Sequence, residues 1–220
     1  MPWSFAAHLL LVLLVPLLLW GGVNYWGKRI PSKPSPSDGR TELSLLPHFL
    51  GGFVVAFPTL AVLLVLPPWE GYGSYIRLAT VEEVGKALLP MIFVKMRGTV
   101  SIRKTIFLFV ASALGFSLFE NILFLIKDPE VSVIRSFTSV PLHATLSAIF
   151  GFAYGYSRYQ YKARTLWGGS AAILLHGVYN AGWEYSIGIP MGILVLSIGI
   201  SGVLWNVAQK LEDSRKRMPM

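Results

Sequence analysis

Cysteine is absent from the 220 residues. Disulfides and thiolate metal sites are therefore excluded, and any metal must be held by imidazole, carboxylate, amide oxygen or water. Charge is also scarce, at 14% of residues against about a quarter in an ordinary soluble domain. No hydrophilic stretch is long enough to fold alone, which argues against a second, soluble domain. The acidic residues number 11 against 19 Lys and Arg, a formal net charge of +8. That excess lies in short stretches between apolar runs, which is a membrane-topology pattern rather than a nucleic-acid footprint. The lipid bilayer is the expected partner, and nucleic acid is not.

What the chain has in quantity is apolar side chains, 54% of the total. They fall into seven runs of about the length that crosses a bilayer as a helix: 3–26, 45–66, 75–96, 105–126, 136–156, 166–185 and 187–207. The first lacks the basic flank and small-residue cleavage site of a signal peptide, so it is read as a retained span. A polar Pro/Ser-rich segment, 28–42, reads as a loop. The expected fold is all-α: a polytopic membrane protein with about seven transmembrane helices in a single integral membrane domain, 1–220. Basic residues cluster on one side of the alternating spans, around 28–40, 95–104, 158–164 and 210–217. The other side has only Arg77, Lys127 and Arg135. This bias predicts the N-terminus outside, the C-terminus in the cytoplasm, and a multi-pass protein of the cell membrane.

In such spans Glu82, Glu83 and Lys86 are costly. A central Asp or Lys costs roughly 2.5–3.5 kcal/mol on insertion, and a Glu is no easier to bury. Three further runs carry polar groups: Glu120 and Asn121 after Phe116, His143, and His176 with Asn180. With about 1.5 Å of rise per residue, Glu82 and Glu83 lie about 10–12 Å from the outer end of their helix. On the same basis Glu120 is about 9 Å in, His143 about 10 Å and His176 about 13 Å. One polar layer in the outer half is therefore expected. Glu82 and Lys86, four apart, predict an ion pair that leaves Glu83 facing a neighbouring helix. Phe116 and Glu120 share a helix face, as do His176 and Asn180. Pro90 and Pro141 predict loosened helices, and Gly115, Gly151, Gly155 and Gly177 predict close helix approach.

Two His and up to three Glu without a thiolate suit a catalytic zinc site of mixed nitrogen and oxygen ligands. Such a site points to hydrolysis, with a free Glu as general base and a Lys or Asn stabilising the oxyanion. At these residues the chain resembles the PrsW family of intramembrane metalloproteases, and more distantly the CAAX prenyl protease and bacteriocin-processing group. The matching pieces are Glu82-Glu83-x-x-Lys86, Phe116-x-x-x-Glu120-Asn121, His143 and His176-x-x-x-Asn180, in order across 75–185. Lys86 and Glu120 follow the PrsW version, where the wider group has Arg and His.

The resemblance implies cleavage of a membrane-anchored protein, such as a single-span regulator, near the extracytoplasmic face. On that basis Glu120, His143 and His176 are the expected zinc ligands. Glu82 or Glu83 would activate water, Lys86 would hold the pair and Asn180 would steady the oxyanion, with Asn121 and Phe116 supporting. Which Glu is the base stays open. The rival readings are a proton- or divalent-metal-conducting transporter and a non-catalytic membrane scaffold of the same fold.

Overall fold

Asp128 illustrates how tightly this chain turns. Its backbone N–H donates to the Phe124 carbonyl at 2.7 Å, closing one helix, while its side chain accepts from Val131 N–H at 3.1 Å to open the next. Pro129 fills the first helical position, where a missing N–H costs nothing. A connection of one residue forces the two helices into an antiparallel hairpin. Ser101 caps the start of the earlier helix in the same way, accepting from Lys104 N–H at 3.2 Å.

The computed structural model describes residues 5–30, 44–97, 100–158 and 163–217. Among them the fold is all-helical: α1 (Phe5–Lys28), α2 (Leu46–Val65), α3 (Gly73–Arg97), α4 (Ile102–Lys127), α5 (Pro129–Ser157), α6 (Ala163–Gly182) and α7 (Gly188–Arg217). Each of the seven apolar runs thus contains a helix. The loop read at 28–42 lies outside the described residues from 31 onward. One boundary is corrected. The stretch 127–135 left between the fourth and fifth apolar runs shrinks to Asp128 as a connection, because Asp-Pro supplies a cap and a first helical residue and α5 starts at once.

Four helices, α1, α2, α4 and the 188–214 part of α7, are long and apolar enough to cross a membrane. In α3, α5 and α6 charged or small polar residues dilute the apolar surface. α4 is the hub. It is buried along most of its length, from Ile102 to Leu125, and packs against α5, α2, α1 and α3. The main apolar core runs down it through Ile106, Val110, Leu114 and Leu118, with Val140 and Phe152 of α5 opposite.

The α2–α4 crossing depends on two residues that have no side chain. A Cβ on Gly115 would stand 1.8 Å from the Phe49 carbonyl oxygen, and one on Gly52 would stand 1.9 Å from that of Ser112. Backbone meets backbone there, so neither side can yield by a rotamer change. The expectation of close approach holds at Gly115, and Gly52 completes it from the facing helix. Gly115→Ala is expected to destabilise the protein by roughly 1–3 kcal/mol as the helices are forced apart. The control is Gly199→Ala on α7, where nothing lies within 4 Å. Thermal unfolding in detergent should show a lowered Tm for the first and none for the second.

Candidate active site

Four helices converge on one buried polar cluster. α3 contributes Glu82, Glu83 and Lys86, α4 contributes Glu120, α5 contributes His143 and α6 contributes His176. All but Glu120 are almost fully buried. The polar layer expected from depth along each helix is therefore present as a single contact network.

Lys86 is at its centre. Its ammonium donates to Glu83 Oε1 at 2.5 Å and to His143 Nδ1 at 2.5 Å, and lies 5.4 Å from the Phe116 ring centroid. The ion pair expected between Lys86 and Glu82 is thus formed with Glu83 instead. Both spacings share a helix face, and Glu83 is the carboxylate on the side where His143 and His176 also need partners. Glu83 Oε1 also meets His176 Nδ1 at 2.8 Å. Because a carboxylate only accepts, His176 carries its proton on Nδ1 and presents the lone pair of Nε2 to the cluster. A carboxylate behind the ring is the usual way to orient a metal-binding histidine.

Lys86 is held from behind as well. Its carbonyl would normally accept from the amide four residues on, but that residue is Pro90, which has no N–H. Ser112 Oγ of α4 donates to this carbonyl instead, at 2.8 Å. The pairing was detectable in principle from Pro90 standing four residues after Lys86, although the donor's identity was not.

Glu82 and Glu120 are left facing each other's surroundings. Glu82 Oε2 lies 3.7 Å from His176 Nε2, and Glu120 Oε2 lies 3.4 Å from His143 Nε2. Glu120 Oε1 is taken by Arg135 of α5 at 2.6 Å. Arg135 did not figure in the expected site because the sequence placed it in a loop. The signal is the hairpin itself: 120 and 135 stand almost equally far from Asp128 on either side of the turn. Asn121 and Ser136 obey the same rule, with Asn121 Nδ2 donating to Ser136 Oγ at 3.0 Å. Asn121 is therefore an interhelical brace. Phe116 stacks at 6.2 Å on His143, walling the imidazole and Lys86. Asn180 is half-buried one turn beyond His176, and no hydrogen bond links it to the cluster among the described residues.

The donor set fits a metal cation. Ligand atoms of Glu82, His143 and His176 lie within 4.8 Å of one another. Oε2 of Glu82, Glu83 and Glu120 and Nε2 of His143 are buried with no hydrogen-bond partner. Lys86 pairs with Glu83 and Arg135 with Glu120, so Glu82 has no cation of its own and is neutralised in this low-dielectric site by a proton or by a further cation. Glu82 and His176 fit as they stand. An ammonium can only donate, so His143 here accepts at Nδ1 and holds its proton on Nε2. A metal at that nitrogen requires the other tautomer, with Lys86 retained by Glu83 alone. Glu120, expected as a ligand, lies outside the tight group and is engaged by Arg135.

A family model described as PrsW family intramembrane metalloprotease matches residues 43–206. The chain belongs to the PrsW family. The Protease PrsW of Geobacillus kaustophilus (strain HTA426) is 29% identical over 164 residues, covering 67% of this chain and 72% of that protein. The Protease PrsW of Bacillus subtilis (strain 168) is 31% identical over 154 residues, covering 65% and 71%. No solved structure matches the chain. Membership in this peptidase family agrees with the donor set, and the matched range contains every residue of the cluster.

The Ser112 prop gives a direct test of this geometry. Ser112→Ala should lower stability by about 1–3 kcal/mol, the usual cost of orphaning a buried carbonyl. In a Pro90→Ala background the amide at 90 can accept that task, so the Ser112→Ala penalty should largely vanish. A double-mutant cycle of melting temperatures with equal penalties in both backgrounds would remove the explanation.

Proposed function

We propose that this PrsW-family peptidase hydrolyses a peptide bond of a membrane-anchored protein, such as a single-span regulator, at a zinc site of Glu82, His143 and His176. The observation that carries the reading is the convergence of those three donors within 4.8 Å, with His176 oriented by Glu83. Glu82 thus takes the ligand position that sequence reasoning gave to Glu120. Bound zinc supplies a Lewis acid that polarises the scissile carbonyl and lowers the pKa of water.

The chain's own groups do the rest. Glu120, fixed through one oxygen by Arg135, has Oε2 free to take a proton from water as its oxygen adds to the carbonyl carbon. The same carboxyl returns that proton to the amide nitrogen as the C–N bond breaks, leaving a carboxylic acid and an amine. Glu83 keeps the His176 proton on Nδ1, and Lys86 neutralises Glu83 in the apolar interior. Asn180, half-buried beside this layer, supplies an amide N–H for the developing oxyanion.

Elemental analysis of the detergent-purified protein should give about one zinc per chain, lost in His143→Ala/His176→Ala. Glu82→Gln should also lose the metal. Glu120→Gln should retain it while proteolysis falls by about 10²–10⁴-fold, the usual contribution of a general base. The opposite pattern, metal lost with Glu120→Gln and kept with Glu82→Gln, would exchange the two roles.

The proposed arrangement in the cell membrane has seven spans, the N-terminus outside and the cluster in the outer half. Arg77 and Arg135, counted as outer-side charges, belong to helices α3 and α5 and point to partners there: Arg77 to the Leu66 carbonyl at 3.1 Å and Arg135 to Glu120. The basic bias between loops is stronger for it. Because the chain has no cysteine, single substitutions report cleanly. Glu70→Cys should react with an impermeant maleimide in intact cells, and Ser214→Cys only after permeabilisation. The reverse labelling would invert the topology.

A further inference from the structure

A cavity of about 210 Å³ adjoins the cluster on the α2 side. Its walls are apolar: Leu63 from α2, Leu78 from α3, and Phe119 and Leu123 from α4. Glu82 and Glu120 also line it, and each has a buried Oε2 without a hydrogen-bond partner. Apart from Thr59 the remainder of the lining is nonpolar, so these two residues form the polar end of an otherwise greasy pocket. Leu123, at its rim, is 37% exposed on the outer surface of the helix bundle. The cavity therefore runs from the face a lipid chain would touch to the carboxylates of the site.

Water is a poor occupant, since a water needs two to four polar partners and most of this lining offers none. A free cation would find ligands only at the inner end. The volume has a clearer match. An apolar cavity of about 150 Å³ accepts a benzene ring, so the space here takes one branched or aromatic side chain and little more. A backbone entering with that side chain would pass Glu82 and Glu120, the ligand and the base of the proposed reaction.

Resting on the peptidase reading above, we propose that this cavity is the subsite for one large apolar side chain of the substrate's membrane segment, next to the bond cleaved. Selection would then be by side-chain size within the bilayer, with entry between α2 and α4. A leucine, methionine or phenylalanine fits. Glycine leaves the pocket empty, and a charged residue is disfavoured there.

The test uses the full chain in lipid nanodiscs with synthetic single-span peptides, each carrying one photo-reactive leucine analogue at a different depth. Irradiation should give adducts on 63, 119 and 123 for one or two adjacent positions of the analogue. Leu63→Trp, which fills the cavity from its wall, should cut those adducts about tenfold while Tm and zinc content stay unchanged. Replacing the same peptide position by glycine should slow cleavage by about tenfold or more. Adducts confined to the lipid faces of α1 and α7, or insensitive to Leu63→Trp, would overturn the subsite. Cleavage without cavity adducts would do so too and leave the peptidase reading intact. Cavity adducts with no cleavage of any peptide would remove the peptidase reading and leave a binding site for apolar segments.

Discussion

The ammonium of Lys86 decides how the other polar groups of this bundle are arranged. Buried among four helices, it must have acceptors, and it takes Glu83 Oε1 and His143 Nδ1. That choice commits Glu83, which in turn fixes the His176 tautomer through the same oxygen. Glu82 is left over, with a free oxygen and no cation of its own. One ion pair thereby divides two adjacent and chemically identical carboxylates into one that is paired with a cation and one that is not. The division needs Lys86 to stay in register, and the Pro90–Ser112 arrangement keeps it there by giving its carbonyl a donor on α4 rather than on α3.

A second constraint is the hairpin closed by Asp128. Its single connecting residue fixes the register between α4 and α5, so Arg135 meets Glu120 and Ser136 meets Asn121. Deeper in the same hairpin, His143 stacks against Phe116. The register also accounts for Glu120 being held by one oxygen while the other stays free. Close α2–α4 packing at Gly52 and Gly115 ties this hairpin to the helix that forms the outer wall of the cavity. Site geometry and helix packing are in this respect one problem.

Much of this was legible in the sequence. Apolar runs separated by Pro, Gly and charge marked all seven helices, because length and hydropathy are set by single segments. The meeting of Glu82, Glu83, Glu120, His143 and His176 was legible too, since depth along alternating helices is one coordinate that spacing supplies. Rotation about each helix axis is the coordinate that spacing does not supply. Lys86 could reach either Glu82 or Glu83, and only the position of His143 decides for Glu83. Arg135 was missed for another reason. A basic residue after a polar stretch reads as loop, and only the Asp-Pro cap shows that α5 has already begun six residues earlier.

The charge balance of the cluster bears on why so polar a site persists in so apolar a chain. Replacing a buried ionic network by well-packed apolar side chains is often neutral or stabilising, so stability alone gives no reason to retain one. A purely structural network would be expected to satisfy its members. Here Oε2 of Glu82, Glu83 and Glu120, Nε2 of His143 and Nε of Arg135 are buried without hydrogen-bond partners, and Glu82 and His143 belong, with His176, to one tight donor group. The network is balanced either by a proton on Glu82 or by a further cation among Glu82 and the imidazoles. Unpartnered carboxylate oxygens beside a cluster of buried imidazoles, next to an apolar cavity, fit a site that acts on something else better than one that only holds helices together.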